Sequence, residues 1–203
     1  LTAGDALGLE YALDWLAKPL QRLLAMLGQF RCRTALLFHG TPGAGKGFLM
    51  DFLRASYGRA FLRISQNQVD DAFSPKGLET SLMLVANEVC STNGRGERGY
   101  QQLKMWTSDE YAPMRLMQTQ AEEKRIHTNV IAFSNSRMPF RLDAGDRRIS
   151  AWYQDRKLDP ELVKALDAEN RAGWATTAPA FLWHAVHERK VTRELIYAHD
   201  NIH

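Results

Sequence analysis

The sequence predicts a three-layer α/β fold, a central and mainly parallel sheet with helices on both faces. Three observations carry this. Short apolar runs at 34–39, 61–64, 82–86 and 130–133 have the length and character of strands buried on both faces. Stretches of helical periodicity alternate with them. A glycine-rich loop joins the first run directly to a helix, as in a parallel α/β unit.

Taken in order, residues 9–27 repeat leucine at helical spacing and read as a helix, or a helix pair around Pro19. Thr34 to His39 is the first strand. The helix after the glycine loop starts near Gly47 and closes at Gly58. Phe61–Ile64 and Leu82–Ala86 are the second and third strands, and Val130–Phe133 is the fourth. A polar and helical insertion, 90–128, separates the last two, and its start, Ser91 to Gly99, reads as a mobile loop. From Pro160 to His187 the pattern is helical again. The expected organisation is an N-terminal helical lead-in (1–33), a core (34–156) and a helical C-terminal segment (157–203).

The totals narrow the class. A chain of 203 residues, 45% hydrophobic and 24% charged, is an ordinary globular composition, which excludes global disorder. A net charge of +3 permits a nucleic-acid partner only where the positives cluster. Cys32 and Cys90 make neither a disulfide framework nor a four-ligand zinc site, and read as reduced thiols. No apolar run approaches the ~18 residues of a membrane span, and no signal peptide opens the chain, so a cytoplasmic protein is expected, without a membrane partner. The chain opens on Leu1 rather than Met, which suggests a piece of a longer protein.

The most informative stretch is Gly40-Thr41-Pro42-Gly43-Ala44-Gly45-Lys46, with the spacing G-x-x-x-x-G-K. Glycines let successive N–H groups turn inward onto phosphate oxygens, the helix start adds its positive end, and a lysine at this spacing reaches the β- and γ-phosphates. Gly40 to Gly47 are therefore expected to bind ATP. Gly47 stands where a Ser or Thr would ligate Mg2+. Phosphate cradling survives that change; direct metal ligation there does not.

Such a site also needs a carboxylate at a neighbouring strand tip. Glu88, 42 residues after Lys46, ends the third apolar run, preceded by Asn87 where an Asp is usual. Asn87 and Glu88 are expected to hold Mg2+ through water, with Glu88 as the catalytic acid. Asn135, at the end of the fourth run, can orient an attacking water. Arg147 and Arg148 follow about a dozen positions later. A guanidinium binds phosphate bidentately, and one supplied by a neighbouring subunit accelerates such reactions about a thousandfold. Arg137, Arg141 and Arg156 add to the local basic concentration.

These segments in this order resemble superfamily 3 helicases of the AAA+ class, and more narrowly the primase–helicase domains of phages, plasmids and mobile elements. The likeness runs from about Tyr11 to Trp152 and rests on YALDWLAKPLQ, LLFHGTPGAGKG, the stretch ending in LMLVANEV, LKMWTSDE, VIAFSNS and DRRI. It implies a P-loop NTPase core. It also implies a homo-hexamer or similar ring that pulls single-stranded DNA through its pore, with Arg147 or Arg148 acting in trans. The setting would be a bacterial or phage-infected cell, and a primase or polymerase domain would lie outside the chain. In this class a hairpin before the sensor strand carries basic residues to DNA. Met114 to His127 is the candidate, with Arg115, Lys124, Arg125 or His127 facing DNA, and Lys104 a further candidate.

Two readings compete with the ATP-driven motor. Gly47 and Asn87 together favour a nucleotide-gated DNA-binding or loading module that hydrolyses little. A small-metabolite kinase is disfavoured, because it has little use for paired trans arginines or a sensor Asn.

Overall fold

The computed structural model describes residues 5–24, 31–71, 73–90, 96–114, 122–140, 146–189 and 191. Its strands are β1 (Ala35–Gly40), β2 (Phe61–Ile64), β3 (Met83–Ala86), β4 (Tyr111–Met114), β5 (Glu122–Arg125), β6 (Asn129–Ser134) and β7 (Ile149–Gln154). The helices are α1 (Ala6–Leu24), α2 (Lys46–Tyr57), α3 (Gln66–Val69), α4 (Gly96–Ser108), α5 (Pro160–Arg171) and α6 (Thr177–Trp183). Five strands form one parallel sheet in the order β2-β3-β6-β1-β7. The α/β expectation with a central parallel sheet therefore holds.

Strand alternation divides the core. Ala35, Leu37, Leu84, Ala86, Val130 and Ala132 face one cluster, filled by Tyr100, Leu103 and Trp106 of α4. Leu36, Phe38, Met83, Val85, Ile131 and Phe133 face the other, filled by Tyr11, Trp15 and Leu16 of α1 and Leu53 and Tyr57 of α2. Both sides of β1, β3 and β6 are thus dry, which is why these strands read as unbroken apolar runs.

The helix that follows β1 covers one face of the sheet, and the helix that follows β3 covers the other. The two connections diverge at the carboxyl ends of the strands and leave a crevice there, the usual ligand position in open parallel sheets.

α1 is one helix, not two. Pro19 lacks the N–H that would bond the Trp15 carbonyl. The Cys32 thiol lies 3.6 Å from that oxygen and Tyr57 Oη donates to the next one, Leu16 O, at 2.7 Å. Trp15, fully buried, donates from Nε1 to Thr34 O at 2.9 Å, fixing α1 to the entry of β1.

Two other elements differ from expectation. The helix of the insertion begins at Gly96, so Gly96–Gly99 is helical rather than loop; residues 91–95 lie outside the described residues. Gly99 suits the close packing of α3 on α4, where a Cβ would come within 3.2 Å of Asp70 Oδ1 and Val69 Cγ1. The fifth strand of the sheet, β7, was not anticipated. ISAWYQ is short and lacks an apolar run; it becomes a strand by pairing with β1 over its full length and stacking Trp152 on Phe38 at 5.3 Å.

Lys104, expected to face DNA, is turned inward. Its ammonium lies 3.2 Å from Asp146 Oδ2 and 3.9 Å from the Tyr100 ring centroid, with the side chain 9% exposed. Asp146 also accepts from Tyr100 Oη and, at 2.8 Å, from the Arg148 amide. Burial pushes the Asp146 carboxyl up, but the bonds from Tyr100, the Arg148 amide and Lys104 outweigh it and hold the pKa below its ordinary value.

The Asp146→Asn change is expected to destabilise the fold by about 3 kcal/mol at neutral pH, because the buried Lys104 ammonium loses the negative charge it pairs with. A depressed carboxylate stabilises above its unfolded pKa of about 4 and loses that contribution as pH falls through the lower folded value. The stability gap between wild type and Asp146→Asn should therefore close below about pH 4, as denaturant titrations across pH would show. A gap independent of pH would refute the assignment.

The C-terminal helices pack on α2 through Phe52, edge-on to Trp174 and Phe181 at 5.5 and 5.2 Å. Arg189 ties their end to α1 through Asp14 (2.7 Å) and Glu10 (2.6 Å). Among the described residues no helix is long and apolar enough to cross a membrane, and Cys32 and Cys90 are free thiols.

Candidate active site

The loop Thr41–Gly45 leaves β1, between β6 and β7, and enters α2 directly. Gly40 has φ 130°, and a Cβ on it would lie 2.0 Å from Gln154 O, so only glycine lets β7 approach this closely. The Thr41 amide donates to Gln154 O at 2.9 Å and the Leu158 amide to Gly43 O at 3.1 Å, strapping the loop from both sides. Gly45, at φ 89°, is the N-cap of α2 and offers no side-chain cap; the first turn also carries no acidic residue. The N–H groups of a 12-residue helix thus open without an internal anion.

Lys46 lies over this loop. Its ammonium donates to Gly40 O and Thr41 O, both at 2.9 Å, and burial lowers its pKa. A desolvated ammonium held only by carbonyls is suited to receive an anion.

The register brings the expected partners to the same level. His39 pairs with Ser134 and Ala86 with Ala132, so Asn135 stands level with Gly40, and Glu88 stands level with Ser134. Glu88 is exposed and holds φ 59°, a left-handed backbone that a non-glycine residue adopts at a cost of about 1–2 kcal/mol. Its neighbours enforce this: the Asn87 amide donates to Ile64 O at 3.0 Å and the Val89 amide to Phe133 O at 2.9 Å.

Loop, Lys46, Asn87, Glu88, Ser134 and Asn135 line one cleft of about 570 Å³. Residues that sequence reasoning missed complete it: Arg63 from β2, Asp51 from α2, and Val163 and Asn170 from α5. Arg63 is legible in hindsight as a cation in the four-residue strand FLRI. Val163 and Asn170 had no local signal, since only tertiary packing brings α5 across the cleft.

Gly47 presents no side chain and Asn87 no charge, so neither supplies the hydroxyl or the carboxylate that usually holds magnesium beside a phosphate loop; the carboxylates that line the cleft are Glu88 and Asp51.

Arg147 and Arg148 lie elsewhere. They precede β7, whose Ile149 pairs with Ala35 at the amino end of β1. A six-residue strand, about 20 Å, separates them from their own cleft.

The hairpin forms between β4 and β5, Tyr111 opposite Arg125 and Ala112 opposite Lys124. Arg125 is exposed and Lys124 half-buried, with long ion pairs to Glu110 (3.9 Å) and Glu122 (4.0 Å) that hold them weakly. Burial, then Arg125 and Arg31, keep the His127 pKa low, so it adds no charge at neutral pH. Arg115 and Arg141 lie outside the described residues.

Fold and site define a class: an α/β protein whose parallel sheet carries a glycine loop and, at its carboxyl edge, a cleft lined by Lys46, Glu88 and Asn135. The chain belongs to the family of unknown function DUF5906, which matches residues 38–148, from β1 through the Arg147–Arg148 pair. It is 30% identical over 131 residues to the DNA primase-polymerase of Nitratiruptor phage NrS-1, covering 63% of this chain and 18% of that protein. In structure it is similar to the apo NrS-1 C-terminal region (305–718), with a TM-score of 0.74 at 23% identity over 97% of this chain and 45% of that one. A second, A-form apo structure of that region gives 0.72 at 22% identity, covering 98% and 45%. The chain thus spans less than half the length of these relatives.

Proposed function

We propose that the chain is the ATP-hydrolysing motor domain of a phage-type replication protein, a superfamily 3-like helicase acting on single-stranded DNA in the host cytoplasm. One observation carries this reading: Lys46 and the uncapped start of α2 share a cleft with Glu88 and Asn135. The loop amides and Lys46 bind the phosphates. Asn135 orients the attacking water. Glu88 accepts its proton as the terminal P–O bond breaks and the new one forms.

Arg147 and Arg148, a strand length from their own cleft, serve a neighbour's, which requires an oligomer closed into a ring. Lys124 and Arg125 on the hairpin contact DNA phosphates. A primase or polymerase module belongs to the longer protein.

The test is hydrolysis of ATP with and without single-stranded DNA, together with assembly state by light scattering. Turnover stimulated by DNA, with assembly, is expected. Absence of nucleotide binding would sink the proposal. Binding and assembly without turnover would support the second reading, a nucleotide-gated loading module, which Gly47 and Asn87 favour.

Gly47→Ser offers a direct probe. A Cβ at this position meets no atom within 4 Å, so the hydroxyl enters without strain. Magnesium-dependent ATP binding is expected to tighten about tenfold, by the roughly 1.4 kcal/mol of one added charge-assisted contact. Calorimetry with and without chelator measures it, and an unchanged affinity in magnesium would refute the expectation.

A further inference from the structure

We propose that this cleft neutralises a nucleoside triphosphate with a second fixed cation, Arg63, so that binding depends only weakly on magnesium; the inference rests on the nucleotide reading above.

Strand alternation turns Leu62 and Ile64 toward the α4 side, and Arg63 with Phe61 toward the α2 side, where the cleft lies. Arg63 lines the cleft together with Lys46, Asn87 and Glu88. It is exposed, and its guanidinium makes no hydrogen bond or ion pair among the described residues. The other carboxylate in the cleft is already engaged: Asp51 pairs with Arg54 at 3.0 Å and with the Asn170 amide at 3.4 Å. A cation with no partner among the described residues, lining a cleft, is arranged for a ligand that brings negative charge.

Electrostatics point the same way. A triphosphate carries several negative charges, which a magnesium ion held by a hydroxyl and a carboxylate ordinarily offsets. Here the hydroxyl is missing at Gly47 and the carboxylate at Asn87. With Asn87 uncharged, the cations Lys46 and Arg63 face the carboxylates of Glu88 and of Asp51, and Asp51 is already held by Arg54 and Asn170. Arginine suits this task because it stays charged and grips two phosphate oxygens at once. The ligand class is therefore a polyphosphate nucleotide with or without its metal, triphosphate bound more tightly than diphosphate.

The experiment measures ATP and ADP binding to the full chain by competition with a fluorescent nucleotide, in excess magnesium and in EDTA. Wild type, Arg63→Gln, Arg63→Lys and Lys46→Ala are compared, with thermal melts confirming that each is folded. Wild-type ATP affinity is expected to fall less than about tenfold on chelation. Arg63→Gln should lose at least about tenfold more in EDTA than in magnesium, with Arg63→Lys intermediate and ADP less affected.

Loss of wild-type binding in EDTA, or an Arg63→Gln affinity equal to wild type there, overturns the inference while nucleotide binding in magnesium stands. If wild type binds no nucleotide in either condition, or Lys46→Ala matches wild type in both, the nucleotide reading itself fails and takes this inference with it.

Discussion

Lys46→Ala is expected to weaken nucleotide binding about 30- to 1000-fold while leaving the melting temperature nearly unchanged. Truncating one partner of a desolvated charged contact costs about 2–4 kcal/mol, and each 1.4 kcal/mol is a factor of ten. The ammonium is in position for such a contact: it stands over the loop, held at 2.9 Å by Gly40 O and Thr41 O, and its pKa is lowered by desolvation. The stability cost is small because the backbone bonds to Gln154 O and from Leu158, not the lysine, strap the loop. Titration of the folded variant with labelled nucleotide is the measurement. Affinity within twofold of wild type would remove Lys46 from the site.

Glu88 should separate chemistry from stability. Glu88→Gln keeps size and hydrogen bonding but cannot take a proton, so turnover should fall about 10²- to 10⁴-fold with nucleotide affinity retained. Glu88→Gly should lose turnover at least as fully and melt higher. At φ 59° the glutamate backbone is strained by about 1–2 kcal/mol, while glycine's greater freedom in the unfolded chain costs about 0.5–1 kcal/mol. The net gain, roughly 0.5–1 kcal/mol, raises Tm by about 1–3 °C for a chain of this size. Strain retained at a strand tip that lines the cleft is what a functional position shows when geometry matters more than stability. A glycine variant that melts below wild type would show that Glu88 is held by contacts rather than strained.

Much of this was legible in the residues. Buried parallel strands contact apolar layers on both faces, so TALLFH, LMLVA and VIAF had to be nearly continuous hydrophobic runs. The glycine loop was legible because its backbone curl demands glycine at fixed spacing, and a Cβ at Gly40 would collide with β7. Glu88 and Asn135 were legible once those strands were read, since both occupy strand tips.

What sequence could not decide depends on contacts remote along the chain. β7 is a strand because β1 offers it a free edge; Ile149, Trp152 and Tyr153 suit extension, but ISAWYQ lacks the unbroken apolar run that marked β1, β3 and β6. Lys104 looks like any surface lysine until Asp146, 42 positions away in the chain, meets it inside the fold. Arg63 enters the cleft only because the parity of β2 turns it toward α2, and Val163 and Asn170 enter it only because α5 folds back across the carboxyl edge. By itself the sequence determined the layered α/β architecture and the three strand tips that line the cleft. Periodicity and glycine spacing are local, and each residue carries that information alone. The tertiary structure decided which charges face the ligand and which face each other, because the pairing of charges is a property of distances that only packing sets.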